Sequence, residues 1–167
     1  MRENALMSEL SITGSGTEII SLYDLPWAKL LEDWPEDPSL TSMRGISRHI
    51  VRLVRIGEHD NDVFAVKETV EEFSKKEYAV LRELNNRGAP CVEPLAVVTG
   101  RLDLRGNELP TALVTRYLSY SLPYRVILSS RVTPHEITTM ANALALLLVK
   151  LHLLGFWWGD CSLSNAL

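Results

Sequence analysis

The order of its segments is what most restricts the folds open to this chain. Two runs rich in β-branched residues, "RGISRHIVRLVRIG" and "DVFAVKETV", flank the polar turn "GEHDND". Ile46, Ile50, Val51, Val54 and Ile56 in the first run favour extended backbone, because branched side chains pack well on a pleated surface. A helical pattern follows in "EEFSKKEYAVLRELNNRG". Phe73, Tyr78, Leu81 and Leu84 recur at helical spacings, and Gly88 is a natural stop. Two more strand-like runs, "CVEPLAVVTGRL" and "TALVTRYL", enclose a turn at "RGNELP". The predicted order is β, β, helix, β, β, link, helix. That predicts an α+β chain: an antiparallel lobe with one inserted helix, then a helical region.

The last helix has the clearest start. Thr133 is a candidate N-cap, Pro134 takes the first helical position, and Glu136 completes a T-x-x-E capping box. Gly155 ends it. Its apolar residues run nearly all round, which predicts burial on most sides. Upstream, "DLPWAKLLEDWPEDP" predicts a short helix between Pro26 and Pro35. Residues 1–20 read as a flexible tail. Its "TGSGTE" lacks the Gly-Lys-Ser/Thr ending of a phosphate-binding loop. The expected division is therefore 1–20 tail, 21–118 sheet lobe with its leading short helix, and 119–167 link and helical region.

Composition excludes several classes. The 167 residues suffice for one sizeable core, with 46% hydrophobic and 23% charged residues. A net charge of −4 argues against a nucleic-acid binder, and Arg44, Arg48, Arg52 and Arg55 do not sort onto one strand face. Cys91 and Cys161 match no metal spacing, so a reducing, cytoplasmic location is the default. The N-terminus lacks the apolar stretch of a signal peptide. The run "ANALALLLVKLHLLGFWW" carries Lys150 and His152 near its centre, so no transmembrane segment is expected.

Chemistry is concentrated at the end of the chain, in "FWWGDCSLSNAL". Asp160 precedes Asn165 by five residues, directly after the apolar helix. A carboxylate on a loop can accept or orient the proton of an attacking hydroxyl. An amide oxygen five residues on suits Mg²⁺, a hard cation that prefers oxygen ligands. Phosphoryl transfer needs that pairing, because the protein's work there is positioning and charge neutralisation. Upstream, "VFAVKE" places Lys67 in an apolar strand, where a cation needs an anionic partner or a route to water. Glu77 lies on the predicted helix face with Leu81 and Leu84; Glu71 and Glu72 are possible substitutes.

The segment "LHLLGFWWGDCSLSN" resembles the LHxxGxxHGDxxxxN run of kinase-like phosphotransferases, including aminoglycoside and lipopolysaccharide kinases. Trp158 stands where those families carry His, and Gly159 where protein kinases carry Arg. "VFAVKE" resembles the kinase V-A-I-K strand, and "EYAVLREL" the helix that supplies its Glu. With "RGISRH", "SLPYR" and "WGDCSLSN", residues 22–167 look most like a bacterial lipopolysaccharide-kinase-like family of unassigned function.

The resemblance implies a kinase-like N-lobe and the start of a helical C-lobe. It implies an ATP- and Mg²⁺-dependent phosphotransferase acting on a small-molecule or saccharide hydroxyl. Lys67 would hold phosphates, Glu77 position Lys67, Asp160 orient the acceptor and Asn165 bind Mg²⁺. Gly45, Ser47 and Arg48 would cover the phosphates, and Thr115, Arg116, Tyr117 and Leu118 would contact adenine. The alternative is a pseudokinase or regulatory binding module. The resemblance also places a further metal-binding Asp beyond Leu167. The chain is therefore expected to be a fragment, inactive by itself, with an uncovered helix 133–155 that favours self-association.

Overall fold

A five-stranded antiparallel sheet organises the first part of the chain. The computed structural model describes residues 9–37, 39–40, 50–57, 62–119 and 121–167. Gly45, Ser47 and Arg48 lie outside the described residues. The strands are β1 (Ser11–Gly14), β2 (Val51–Arg55), β3 (Val63–Thr69), β4 (Pro94–Thr99) and β5 (Thr111–Arg116). They are ordered β1-β4-β5-β3-β2. The chain divides into two units, one of residues 1–83 and 92–117, the other of residues 84–91 and 118–167.

The period of two along β3 sorts its side chains. Phe64 and Val66 enter a core with Ala96, Val98, Ala112 and Val114 on one face of the sheet. Leu22, Trp27, Leu31 and Trp34 from the N-terminal segment cover that face. Lys67 points the other way, because successive residues of a strand alternate. It lies opposite Leu113, which lies opposite Val97. Tyr78 of helix α2 (Glu71–Asn86) packs on Val97 and Leu113. The sheet is thus covered by the N-terminal segment on one side and by α2 on the other. Gly88, at φ +67°, closes α2 with the left-handed backbone that glycine adopts without steric cost.

Three expectations need correction here. Residues 11–14 are not tail: β1 pairs with β4 along its whole length. Ile12 packs against the core, and Ser11, Thr13 and Gly14 complete the strand. The segment around "PWAKLLEDW" is not a regular helix. It forms only a single 3-10 turn, Leu31–Asp33, after a four-residue helix α1 (Ile19–Leu22). The two indoles explain this. Trp27 Nε1 donates to the Leu22 carbonyl at 2.6 Å and Trp34 Nε1 to the Lys29 carbonyl at 3.2 Å, and those side-chain bonds fold the segment back on itself. "SLPY" is not merely a link, since helix α3 (Tyr124–Leu128) starts after Pro123.

Helix α4 (Pro134–Leu153) has the expected capping box. The Thr133 hydroxyl accepts from the Glu136 amide, and Glu136 accepts from the Thr133 amide. Burial on most sides is not observed. One stripe, with Leu147 and Leu151, packs against Leu84, Ala89, Phe156 and Trp158, while Leu146, Val149 and Leu153 are exposed. Leu151 is the only fully buried residue of α4. The helix also starts earlier than its apolar run, so Lys150 and His152 fall in the last turn rather than at the centre. With a mean hydropathy of 1.3 over an 18-residue window, α4 is long and apolar enough to cross a membrane by length and composition alone, a test that core helices of soluble proteins also pass.

Candidate functional site

The strand and helix geometry of the first unit brings Lys67 to Glu77. Lys67 Nζ donates to both carboxylate oxygens, at 2.7 and 3.1 Å. The Lys67 side chain is 29% exposed and that of Glu77 42%, so the pair sits at the edge of the core and remains open to a solute. The phase of α2 selects Glu77. Tyr78 turns into the sheet and Glu77, one residue before it, lies at the border of the same face. Glu71 instead pairs along the helix with Lys75 at 2.5 Å.

The neighbour of Lys67 is neutralised on the opposite face. Glu68 Oε1 accepts from Arg101 Nη1 at 2.8 Å and from the Leu31 amide at 3.1 Å. Arg101 is 1% exposed. It also donates to the carbonyls of Trp27, Lys29 and Pro110, and lies 5.5 Å over the Trp27 ring. Sequence reasoning missed this pair. The available signal was an acid near the end of an apolar strand, which calls for a cation nearby when it is buried.

Arg116 is among the expected adenine contacts. Its guanidinium donates to Glu93 at 2.8 Å, Asp62 at 3.1 Å and Glu18 at 2.8 Å. It also lies 4.8 Å over the Phe64 ring. Its partners come from segments far apart in the chain, so Arg116 ties the end of β5 to the rest of the sheet. The other three expected adenine contacts follow in the same segment. Thr115 lies opposite Ala65 and Pro94 in the sheet, the Tyr117 amide donates to the Val63 carbonyl at 2.8 Å, and the Leu118 carbonyl accepts from Ser121 at 2.6 Å.

In the second unit, Asp160 and Asn165 share one loop. Asn165 Nδ2 donates to the Asp160 backbone carbonyl at 2.9 Å, and the Asn165 amide donates to Ser162 at 3.0 Å. The first amides of α3 hold the loop from outside. Tyr124 N donates to the Ala166 carbonyl at 3.0 Å and Arg125 N to that of Leu163 at 2.8 Å. Both Asp160 and Asn165 side chains are exposed. No protein family, curated protein or solved structure matches this chain.

The loop is reached by a strictly alternating approach. Gly155, at φ +83°, ends α4, and the Phe156 amide donates to the Leu151 carbonyl at 2.9 Å. Phe156 and Trp158 turn into the α4 core, while Trp157 between them turns out. Trp158 is therefore a packing residue here.

The donor set can be tested for Mg²⁺. The Asn165 amide nitrogen is spent on the Asp160 carbonyl, which leaves its side-chain oxygen as the group available to a cation. Asp160 adds a carboxylate. Among the described residues no three His, Cys, Asp or Glu side chains cluster as a metal site. Two oxygen donors fit an ion that keeps several waters and is completed by substrate phosphates, and they do not fit an all-protein cage.

Proposed function

We propose that this chain carries the phosphate-binding and acceptor elements of a kinase-like, ATP-dependent phosphotransferase. In this reading the sheet and α2 are a kinase-like N-lobe, and α3, α4 and the Asp160 loop begin a helical C-lobe. The acceptor is a hydroxyl of a small molecule or saccharide. The observation that carries the proposal is the two-pronged contact from Lys67 of β3 to Glu77 of α2. A half-exposed strand lysine held by a helix carboxylate is oriented, charged, and open to an anion on its solvent side.

The residues then take these roles. Lys67 neutralises nucleotide phosphates and Glu77 holds it in place. The acceptor oxygen attacks the terminal phosphorus, the bond to the bridging oxygen of ADP breaks, and Asp160 receives the acceptor's proton. Asn165, with Asp160, would hold Mg²⁺, which neutralises phosphate charge when bound.

The test is calorimetric titration of the chain with Mg-ATP and Mg-ADP. Binding is expected, and Lys67→Ala weakens it by about 10- to 100-fold, the range for removing one hydrogen bond to a charged group. A wild-type chain that binds neither nucleotide sinks the reading.

A second reading is a nucleotide- or partner-binding module without catalysis. It is favoured by the donor set: among the described residues no three His, Cys, Asp or Glu side chains cluster as a metal site. Nucleotide affinity that is indifferent to Mg²⁺ would support it.

A further inference from the structure

We infer that Trp157 is a platform for the ring of a saccharide, placed beside Asp160 as part of the acceptor site. This rests on the phosphotransferase reading for the role of Asp160, but the contact itself stands on geometry.

Trp157 is 82% exposed, among the most exposed large side chains of the protein. It is nevertheless not a loose side chain. Its indole stacks on the His152 ring of α4, with centroids 5.4 Å apart and planes only 9° from parallel. Part of one face of the indole is thereby backed by the imidazole, and the rest of the ring is presented to solvent. The edge of the same ring lies against the backbone of Gly159. A Cβ on Gly159 would come within 3.0 Å of Trp157 Nε1 and 3.4 Å of its Cδ1. Glycine at 159 thus lets the indole close onto the residue immediately before Asp160. Phe156 and Trp158 are anchored in the α4 core on either side, so the outward direction of Trp157 is imposed by the alternation of the segment.

An oriented, solvent-facing indole next to a carboxylate suits a pyranose. The ring's electron-rich face attracts C–H groups made electropositive by neighbouring oxygens, and one face of many pyranoses is a patch of such C–H groups. The hydroxyls at its rim need polar partners. Asp160, Ser162, Ser164 and Asn165 follow within one loop, and of these Asp160, Ser164 and Asn165 are exposed. Trp27 and Trp34, by contrast, are buried packing residues, each 4% exposed.

The chain can be labelled with 5-fluorotryptophan and followed by fluorine NMR, the Trp157 resonance being assigned by its absence in Trp157→Phe. Methyl glucoside is the probe, with glycerol as a polyol that lacks a ring. A saturable shift of the Trp157 resonance by methyl glucoside and not by glycerol is expected. Ligand-observed saturation transfer should mark the C–H protons of one sugar face. It should weaken about 2- to 12-fold in Trp157→Ala and largely survive in Trp157→Phe, the range for one aromatic contact. The far-UV circular dichroism and the urea midpoint should match wild type in both variants, which shows that they fold. An unmoved Trp157 resonance, equal saturation transfer in Trp157→Ala, or a resonance that responds only to protein concentration overturns the inference. Because the sugar titration contains no nucleotide, a failure to bind Mg-ADP would count against the phosphotransferase reading alone.

Discussion

Lys67 Nζ lies 2.7 Å from one carboxylate oxygen of Glu77 and 3.1 Å from the other, joining the middle of β3 to α2. Its chain neighbour Glu68 is paired on the opposite face with Arg101. Two adjacent residues of one strand are therefore neutralised on two different faces, one at a solvent-accessible edge and one in the core. The difference in burial separates their expected roles.

The Lys67–Glu77 pair should matter little for stability and much for nucleotide binding. Exposed pairs of this kind contribute about 0–1 kcal/mol. Glu77→Gln is expected to leave the urea midpoint almost unchanged while weakening Mg-ATP binding, because Lys67 loses its fixed direction. Parallel denaturation and calorimetry would check this. A large loss of stability with unaltered affinity would make the pair purely structural.

The Arg101–Glu68 pair should behave in the opposite way. Arg101 is 1% exposed, so Glu68→Ala leaves a buried cation without its carboxylate. Breaking such a pair destabilises by about 3–5 kcal/mol. The N-terminal segment, which Arg101 holds through Trp27 and Lys29, should loosen first. Urea denaturation followed by tryptophan fluorescence would show the loss, and a change below about 1 kcal/mol would contradict the assignment.

Acid should release the Arg116 cluster. The backbone amide of Glu18 itself, with Arg116 and Thr17, holds the Glu18 carboxyl below its usual range. A carboxyl lowered in the folded state contributes stability above its ordinary pKa, and that contribution is lost as pH falls through the lowered value. Denaturation midpoints measured from about pH 7 to about pH 3 should therefore fall on the acid side. The fall should be shallower in Glu18→Gln. An identical acid limb in wild type and variant would remove Glu18 from the account.

The outer face of α4 should drive self-association. Leu146, Val149 and Leu153 are 70%, 54% and 82% exposed on one side of the helix. Apolar surface of this kind is a contact waiting for a partner, here a second copy. Sedimentation equilibrium should show an average mass that rises with concentration, and Leu146→Glu with Leu153→Glu should hold it at the monomer value. A wild-type mass that stays constant would exclude the contact.

What the sequence determined by itself is what short-range physics controls. The capping box at Thr133 and Glu136, the stop at Gly88 and the β-branched cores of β2 to β5 each depend on residues a few positions apart, so each was readable. Lys67 and Glu77 were readable as partners because strand alternation and helix phase narrow the choice, although Glu71 and Glu72 were excluded only once α2 was seated on the sheet. Tertiary structure alone decided the rest. β1 lies in a segment with no strand signature and exists because β4 offers it an edge. Arg101 meets Glu68 from 33 residues away, and Arg116 meets Glu18 from 98. These contacts arise when distant segments are brought together by burial of a shared core, and no local pattern of residues encodes which segments those will be.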